Sequence, residues 1–404
     1  LVIIMLTDPF IKAKKILEKI ECHNHKAYFV GGCVRDFLLK RSIEDVDIAT
    51  SAAPHIIKQL FDKVIPVGIE HGTVIVRYKH ESYEVTTFRI DGIYTDKRHP
   101  DRVEFIDKID KDLERRDFTI NALAMDKNGV IIDLFNGRED LQNKTIRTVG
   151  NGYDRFTEDP LRIIRALRFS SQLGFMIDQE TVSHMKKVKQ DINNLAIERI
   201  TNEFTKLFKG QYLGNGIEYL QQTEVHKQLP IIRDYPTIIN RLPSPLRPLH
   251  SFGEVIALFH HIEPNVSLET WVKQWKCSNK IKQEAIQLVE ALDHFNQEGL
   301  SKWGVYRLSS LYYEGFVRLV ELINPTKLIH LDEVEQIDQS LPIKSKKELA
   351  LNGNDLIALF PDRRKGSWLQ KTINKLEYEV VLGNVNNTKK ELKEWIKWNP
   401  PEIN

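Results

Sequence analysis

Apolar residues fall at helical spacing through residues 8–23 (DPFIKAKKILEKIECH) behind an Asp-Pro start, which predicts an amphipathic first helix. The spacing then changes. Tyr28-Phe29-Val30 is a short apolar run that stops at Gly31-Gly32, and a short basic helix-like segment with Arg35 and Asp36 follows. Asp45-Val46-Asp47-Ile48 alternates polar and apolar, the period of a half-buried strand. Residues 53–61 predict a helix behind Pro54. Thr73–Tyr78 and Tyr83–Phe88 are β-branched and aromatic runs joined by a polar turn and predict a strand pair; Val130–Phe135 predicts another strand, ending at Asn136-Gly137. Between them, residues 89–102 (RIDGIYTDKRHPDR) carry no periodicity and are broken by Gly92 and Pro100, so a mobile loop is expected there. Residues 110–125 (DKDLERRDFTINALAM) read as helical. Residues 157–172 (TEDPLRIIRALRFSSQ) show helix-start signals, with Thr157 as cap and Pro160 just inside. From about residue 175 strand signals nearly vanish and amphipathic helices succeed one another. The expected fold class is α+β, a small mixed β-sheet first and an all-helical remainder.

At 404 residues the chain exceeds what one core serves, so roughly two to four domains are expected. With 41% hydrophobic and 28% charged residues, extensive disorder is excluded. A net charge of +2 leaves nucleic-acid binding to local basic patches. Cys22, Cys33 and Cys277 are too few and scattered for a disulfide framework or a cysteine zinc site, which points to reducing cytoplasm. The opening LVIIMLT is far shorter than a bilayer span, so no membrane association is expected, and Met5 is the expected start of the protein. The histidines form no H-E-x-x-H and no H-D pair; His23, His25, His71, His260 and His261 read as structural.

Chemistry enters at residues 28–50. In a strand Asp45 and Asp47 project to one face while Val46 and Ile48 face the core. Two such carboxylates repel unless a cation sits between them, and Mg²⁺ accepts hard carboxylate oxygens alongside phosphate oxygens. Gly31-Gly32, about a dozen residues upstream, lets backbone N–H groups approach a triphosphate closely where a helix N-terminus also favours negative charge. Taken in isolation, the carboxylates would equally suit a solvated strand edge and the glycines a plain turn. The combination resembles the nucleotidyltransferase superfamily that shares a fold with DNA polymerase beta, with its G-G or G-S, a spacer, then D-h-D. That resemblance implies a third acidic position, which Glu84 fills; the alternative for Glu84 is a cross-strand partner for Lys or Arg.

Further along, Arg116 offers bidentate contacts to phosphate. Asp159 and Arg162, three apart on a helix, would lie on one face. Cytosine and adenine both present an exocyclic amine donor next to a ring-nitrogen acceptor, which an accepting Asp and a donating Arg match. Uracil and guanine present the reverse order. One Asp–Arg pair thus admits C and A without a nucleic-acid template, the alternative being a surface salt bridge worth a few tenths of a kcal/mol. Arg165 and Arg168 continue the basic row, each step of three turning about 60° round the helix, so that Arg165 still reaches triphosphate or primer and Arg168 lies half a turn from Asp159.

The runs GGCVRD, DVDIAT, YEVTTFR, RRDFTINALAM and DLFNGREDL resemble the head of class II tRNA nucleotidyltransferases, the CCA-adding enzymes and their bacterial poly(A) polymerase relatives. E-D-x-x-R at 158–162 resembles the motif to which that family assigns base selection, and LAIERITNEF its fifth motif, where Glu198 and Arg199 brace the base-reading helix. The resemblance implies a nucleotidyltransferase head at 5–148, a helical neck at 149–212, a body at 213–302 and a tail at 303–404. It implies two-metal nucleotidyl transfer, with two Mg²⁺ on Asp45 and Asp47 and Glu84 completing the catalytic set. CTP and ATP would be held by Gly32, Arg35, Arg116, Asp159, Arg162, Arg165 and Arg168, and tRNA by its 3′ end and acceptor/T arm. A homodimer stays open. The tail, with Arg363, Arg364 and Lys365 beside Gly366 and Trp368, suits a phosphate-rich RNA arm, or simply a solvated loop. PVGIEHGTVIV resembles the CCA-adding form where poly(A) polymerases carry a basic segment, and RIDGIYTDKRHPDR supplies a loop that CC-adding relatives lack. The A-adding sibling is not set aside as clearly. A non-catalytic tRNA-binding descendant would have lost the carboxylates, and both are present.

Overall fold

Residues 6–92 and 103–401 are described in the computed structural model. The chain forms two compact units, Leu1–Asn240 and Arg241–Asn404.

The first unit is built on a seven-stranded mixed sheet in the order β3-β4-β5-β2-β1-β8-β9. Its strands are β1 (Ala27–Val30), β2 (Asp47–Thr50), β3 (Val64–Gly68), β4 (Thr73–Tyr78), β5 (Glu81–Thr87), β8 (Leu123–Met125) and β9 (Ile131–Asp133), and β6 (Arg89–Asp91) with β7 (Val103–Phe105) makes a separate antiparallel pair. β1 runs antiparallel to both β2 and β8, whereas β2 and β5 are parallel with Asp47 opposite Glu84. The first helix, Asp8–Glu21, lays Phe10, Ala13, Ile16, Leu17 and Ile20 on the sheet as its periodicity predicts. The Phe10 ring sits 4.8 Å from Phe29 and 5.2 Å from Phe37. A second apolar cluster of Val30, Ala49, Phe88, Leu113, Ala122, Ala124 and Val149 completes the packing.

Three expectations change. Residues 110–125 are not one helix: a short helix Ile109–Glu114 gives way to a 3₁₀ turn at Thr119–Asn121 and then to β8. The Asp117 carboxylate accepts from the Phe118 N–H and the Asn121 side chain, and this local bonding competes with helix. Leu123-Ala124-Met125 is an unbroken buried run that β1 recruits into the sheet. In the expected loop, Arg89–Asp91 and Val103–Phe105 are paired strands, while residues 93–102 lie outside the described residues, as does Met5. The helix expected over 157–172 is two helices, Gly152–Glu158 and Leu161–Leu173. Pro160 disfavours helical backbone at the residue before it, and Asp159 accordingly has φ −140° and ψ 97°.

Helix Leu161–Leu173 packs against helices Ile197–Phe208 and Leu213–Gln222. Gly210 is what lets these close: a Cβ there would lie 2.0 Å from Ser171 Oγ. The second unit contains helices and no strands among the described residues. Trp271 and Trp275 are fully buried, and a separate cluster including Leu356, Leu376, Val380, Leu392 and Ile396 holds helices Ser367–Leu382 and Lys389–Trp398 together.

Candidate active site

β2 begins at Asp47, so Asp45 stands just before the strand and not within it. The alternation nevertheless extends back to Asp45. Val46 and Ile48 are 6% and 1% exposed, while Asp45 and Asp47 are open to solvent. Desolvation raises the Asp47 pKa, with the Asp45 charge adding to it and Arg116 opposing. Glu84, across the parallel register, is raised in the same way by desolvation, then by Asp47, with Arg89 opposing. The fold thus holds three mutually repelling carboxylates at one end of the sheet, an arrangement that a cation would relieve. Among the described residues no three His, Cys, Asp or Glu side chains enclose a metal by themselves. This donor set fits Mg²⁺, which is bound through one or two carboxylates and takes its remaining ligands from water and substrate phosphates.

A cleft of about 680 Å³ opens from these carboxylates, and of the residues expected from the sequence Gly32, Arg35, Asp47, Glu84, Arg116, Asp159, Arg162, Arg165 and Arg168 all line it. Asp45 does not. Among the described residues nine arginines and lysines line the cleft against five acidic residues, a surplus that suits a polyphosphate. Gly31 has φ +76°, and a Cβ there would lie 2.7 Å from Arg116 Nη1, so glycine is needed for the turn and for the arginine above it. Arg116 Nη2 lies 3.3 Å from Asp112, and its buried Nε finds no hydrogen-bond acceptor among the described residues.

The remaining arginines are fixed by groups that sequence reasoning did not single out. Arg35 donates to both Asp36 oxygens (3.1 and 2.8 Å) and to Asn121 Oδ1 (2.7 Å). Asn121 donates to Asp117 (3.0 Å), and the other Asp117 oxygen accepts from Arg165 Nε and Nη2 at 2.7 and 2.6 Å. Desolvation pushes the Asp117 carboxyl up, yet Arg165, Asn121 and Arg162 outweigh it and hold the group well below the usual carboxylate range. Arg168, half a turn from Asp159, is nonetheless in the cleft wall. It pairs with buried Glu203 at 2.8 Å, and desolvation with the neighbouring Arg165 lowers its pKa to about 10. The guanidinium carbons of Arg35, Arg165 and Arg168 lie 5.1, 5.5 and 4.2 Å from the centre of the Phe169 ring. The one available signal was the R-R-D string itself, a carboxylate directly following two arginines.

Asp159 and Arg162 do not pair with each other. Asp159 Oδ1 accepts from the Leu161 N–H (3.1 Å) and Oδ2 from Arg199 (2.8 Å). Arg162 donates to Glu158 (3.0 Å) and to the Arg115 carbonyl (3.1 Å). A carboxylate offers about four acceptor sites and a guanidinium five N–H donors, so each keeps capacity for a base while its orientation is set. Arg199 therefore makes the bracing contact expected of it.

A mixed sheet presenting carboxylates to an arginine-lined cleft defines a nucleotidyltransferase head. Consistently, residues 27–147 match the poly A polymerase head domain family, and residues 253–396 match tRNA nucleotidyltransferase domain 2. The CCA-adding enzyme of Oceanobacillus iheyensis is 49% identical over 99% of this chain and 100% of its own length, and that of Bacillus subtilis 40% identical over 96% and 98%. The crystal structure of the Bacillus stearothermophilus CCA-adding enzyme in complex with CTP matches with a TM-score of 0.88 at 34% identity, covering 98% of each chain. The chain belongs to the bacterial class II CCA-adding enzyme family.

Proposed function

We propose that this protein adds C, C and A in turn to the 3′ end of tRNA, without a nucleic-acid template, taking CTP and ATP and releasing pyrophosphate. The observation that carries this reading is the opening of the Asp47–Glu84 carboxylates and the Asp159–Arg162 pair onto one arginine-lined cleft. Asp45 and Asp47 would hold Mg²⁺, with Glu84 beside them. Bound there, the metal supplies acidity to the RNA 3′-hydroxyl and charge neutralisation to the leaving pyrophosphate. The protein's own share is positioning. Gly32, Arg35, Arg116 and Arg165 hold the triphosphate in line, and Arg168 with Phe169 backs Arg165. The 3′-oxygen forms its bond to the α-phosphorus as the α–β phosphoanhydride bond breaks. Asp159 accepts from the exocyclic amine and Arg162 donates to the ring nitrogen of C or A. Head, neck, body and tail at 5–148, 149–212, 213–302 and 303–404 would divide the labour between chemistry, base reading and tRNA binding in the cytoplasm.

The deciding test uses tRNA transcripts ending before CCA, at C and at CC, incubated with Mg²⁺ and with CTP and ATP singly and together. Completion to CCA from all three ends is expected. A stop at CC, or extension of the CC end alone, would instead mean a specialised sibling; long A tails would mean a poly(A) polymerase, and binding without extension a non-catalytic RNA-binding protein.

Base selection gives a second expected outcome. Replacing Asp159 by Arg and Arg162 by Asp reverses the order of acceptor and donor, so incorporation should shift toward U and G. A site that reads hydrogen bonds discriminates by about 10⁴-fold or more, so even partial relaxation is readable in single-nucleotide incorporation. Strict C and A selection by the exchanged variant would sink the assignment.

A further inference from the structure

In the second unit, a pocket of about 240 Å³ lies between helices Ser367–Leu382 and Lys389–Trp398 and is bounded by Pro400 and Pro401. Its aromatic surfaces are Trp368, 8% exposed, and half-buried Trp395. Lys371 and Lys375, one turn apart on the same helix face, stand on its edge. Both are exposed and neither has a carboxylate of the described residues within ion-pair distance; Lys375 Nζ lies 5.8 Å from the Trp395 ring. Among the described residues no acidic side chain lines the pocket. The Trp368 indole N–H is already given to the Arg364 carbonyl, which fixes the ring, and the Arg363 guanidinium carbon lies 4.9 Å from the ring centre. Residues 363–397 hold nine Lys and Arg against four Glu, whereas the whole chain is only +2.

Such a charge imbalance around aromatic walls is not what a core needs, and it matches an anionic ligand that also has a flat apolar face. We propose that this pocket takes one unpaired nucleobase of the RNA substrate, stacked against Trp395 and Trp368, with Lys371 and Lys375 on the adjoining phosphates. The volume admits one base with its ribose and not a base pair, and stacking on an aromatic ring tolerates any base. The assignment deepens the proposed reaction on tRNA by adding an anchoring subsite outside the unit that carries the chemistry, and in that respect rests on it.

The test measures binding of a tRNA transcript lacking CCA, by tryptophan fluorescence and filter retention, over roughly 50–200 mM salt. Trp395→Ala is expected to weaken binding about tenfold. Because Trp395 also touches the unit's core, Lys371→Ala with Lys375→Ala provides a variant that leaves the core alone. It should lower the slope of log affinity against log salt by about 1.5, the loss of two phosphate contacts. Turnover at saturating tRNA should stay unchanged in both variants. Wild-type affinity and slope in both would overturn the proposal, as would quenching by a proline-rich peptide with RNA binding unaffected. Failure of the wild-type protein to incorporate C or A would count against the reaction, while the binding comparison would still decide the pocket.

Discussion

Asp47→Ala is expected to lower nucleotide addition by about 10³-fold, the upper end of the scale for removing one charge-stabilising group from an enclosed site, without destabilising the protein. The two halves of this expectation come from one feature. Asp47 keeps contact with solvent at the end of β2, yet the surrounding protein removes part of its hydration and Asp45 repels it against the pull of Arg116. Its folded pKa therefore lies above its unfolded value, and solvent screening keeps the penalty small. For a carboxylate raised in this way, the charged form is the less favourable one in the folded state. At neutral pH it therefore subtracts from stability, and the penalty fades as pH falls through the raised value. Alanine removes that penalty. In metal-free buffer the melting temperature of Asp47→Ala should equal or exceed that of the wild-type protein, and the stabilisation that Mg²⁺ and CTP together confer on the wild type should disappear. Asp45→Ala should lose activity on the same scale, although Asp45 lies outside the cleft lining. A carboxylate conserving only local structure would behave oppositely, with activity retained and melting temperature reduced. Single-turnover addition to a CC-ending transcript, with thermal melts in and out of Mg²⁺, separates the two, and near-normal turnover would remove Asp47 from the chemistry.

What made this end of the site legible in the sequence was a short-range pattern: two-residue alternation survives in the structure even though the strand starts only at Asp47. The Gly31 turn is legible for the same reason, since a conformational requirement is written at the residue that meets it. Type and spacing place Asp159 and Arg162 together, as the shared cleft does, but their backbone setting is not legible, because Pro160 outranks the helical pattern on either side of it. Residues 110–125 were misread because leucine, arginine and alanine at helical spacing are indistinguishable from a buried strand preceded by a turn until β1 supplies the partner. The arginine supports were least legible of all. Asp117 meets Arg165 across 48 residues, and Arg168 meets Glu203 on another helix. Opposite charges are plentiful in a chain with 58 basic and 56 acidic side chains, and nothing local says which will pair.

Asp117 is where that illegible layer carries most weight. Asp117→Ala is expected to destabilise the first unit by about 3 kcal/mol, toward the low end for breaking a buried pair because Arg165 still reaches the open cleft. A loss of this size would lower its melting temperature by roughly 6–12 °C for a unit of this length. The substitution leaves Arg165 without the carboxylate oxygen that both its Nε and Nη2 contact and strips Asn121 of the acceptor that orients it toward Arg35. The cleft-lining Arg35 and Arg165 then loosen together, so the KM for CTP and ATP should rise along with the loss of stability. The pH dependence has a definite sign. The folded pKa of Asp117 lies below the unfolded one, so its contribution is complete above the ordinary carboxylate value and is lost as pH falls through the lowered folded value. The gap in melting temperature between wild type and Asp117→Ala should therefore be constant near neutrality and narrow in acid; a gap that widens there would contradict the assignment. A double-mutant cycle gives the sharper reading. Removing Arg165 as well takes away the uncompensated charge, so Asp117→Ala with Arg165→Ala should be more stable than the sum of the single losses implies. Additivity within about 0.5 kcal/mol would mean that the two side chains are not coupled. Coupling of the expected sign would show that the cleft's positive charge is held in place by a carboxylate that itself never needs to meet the nucleotide.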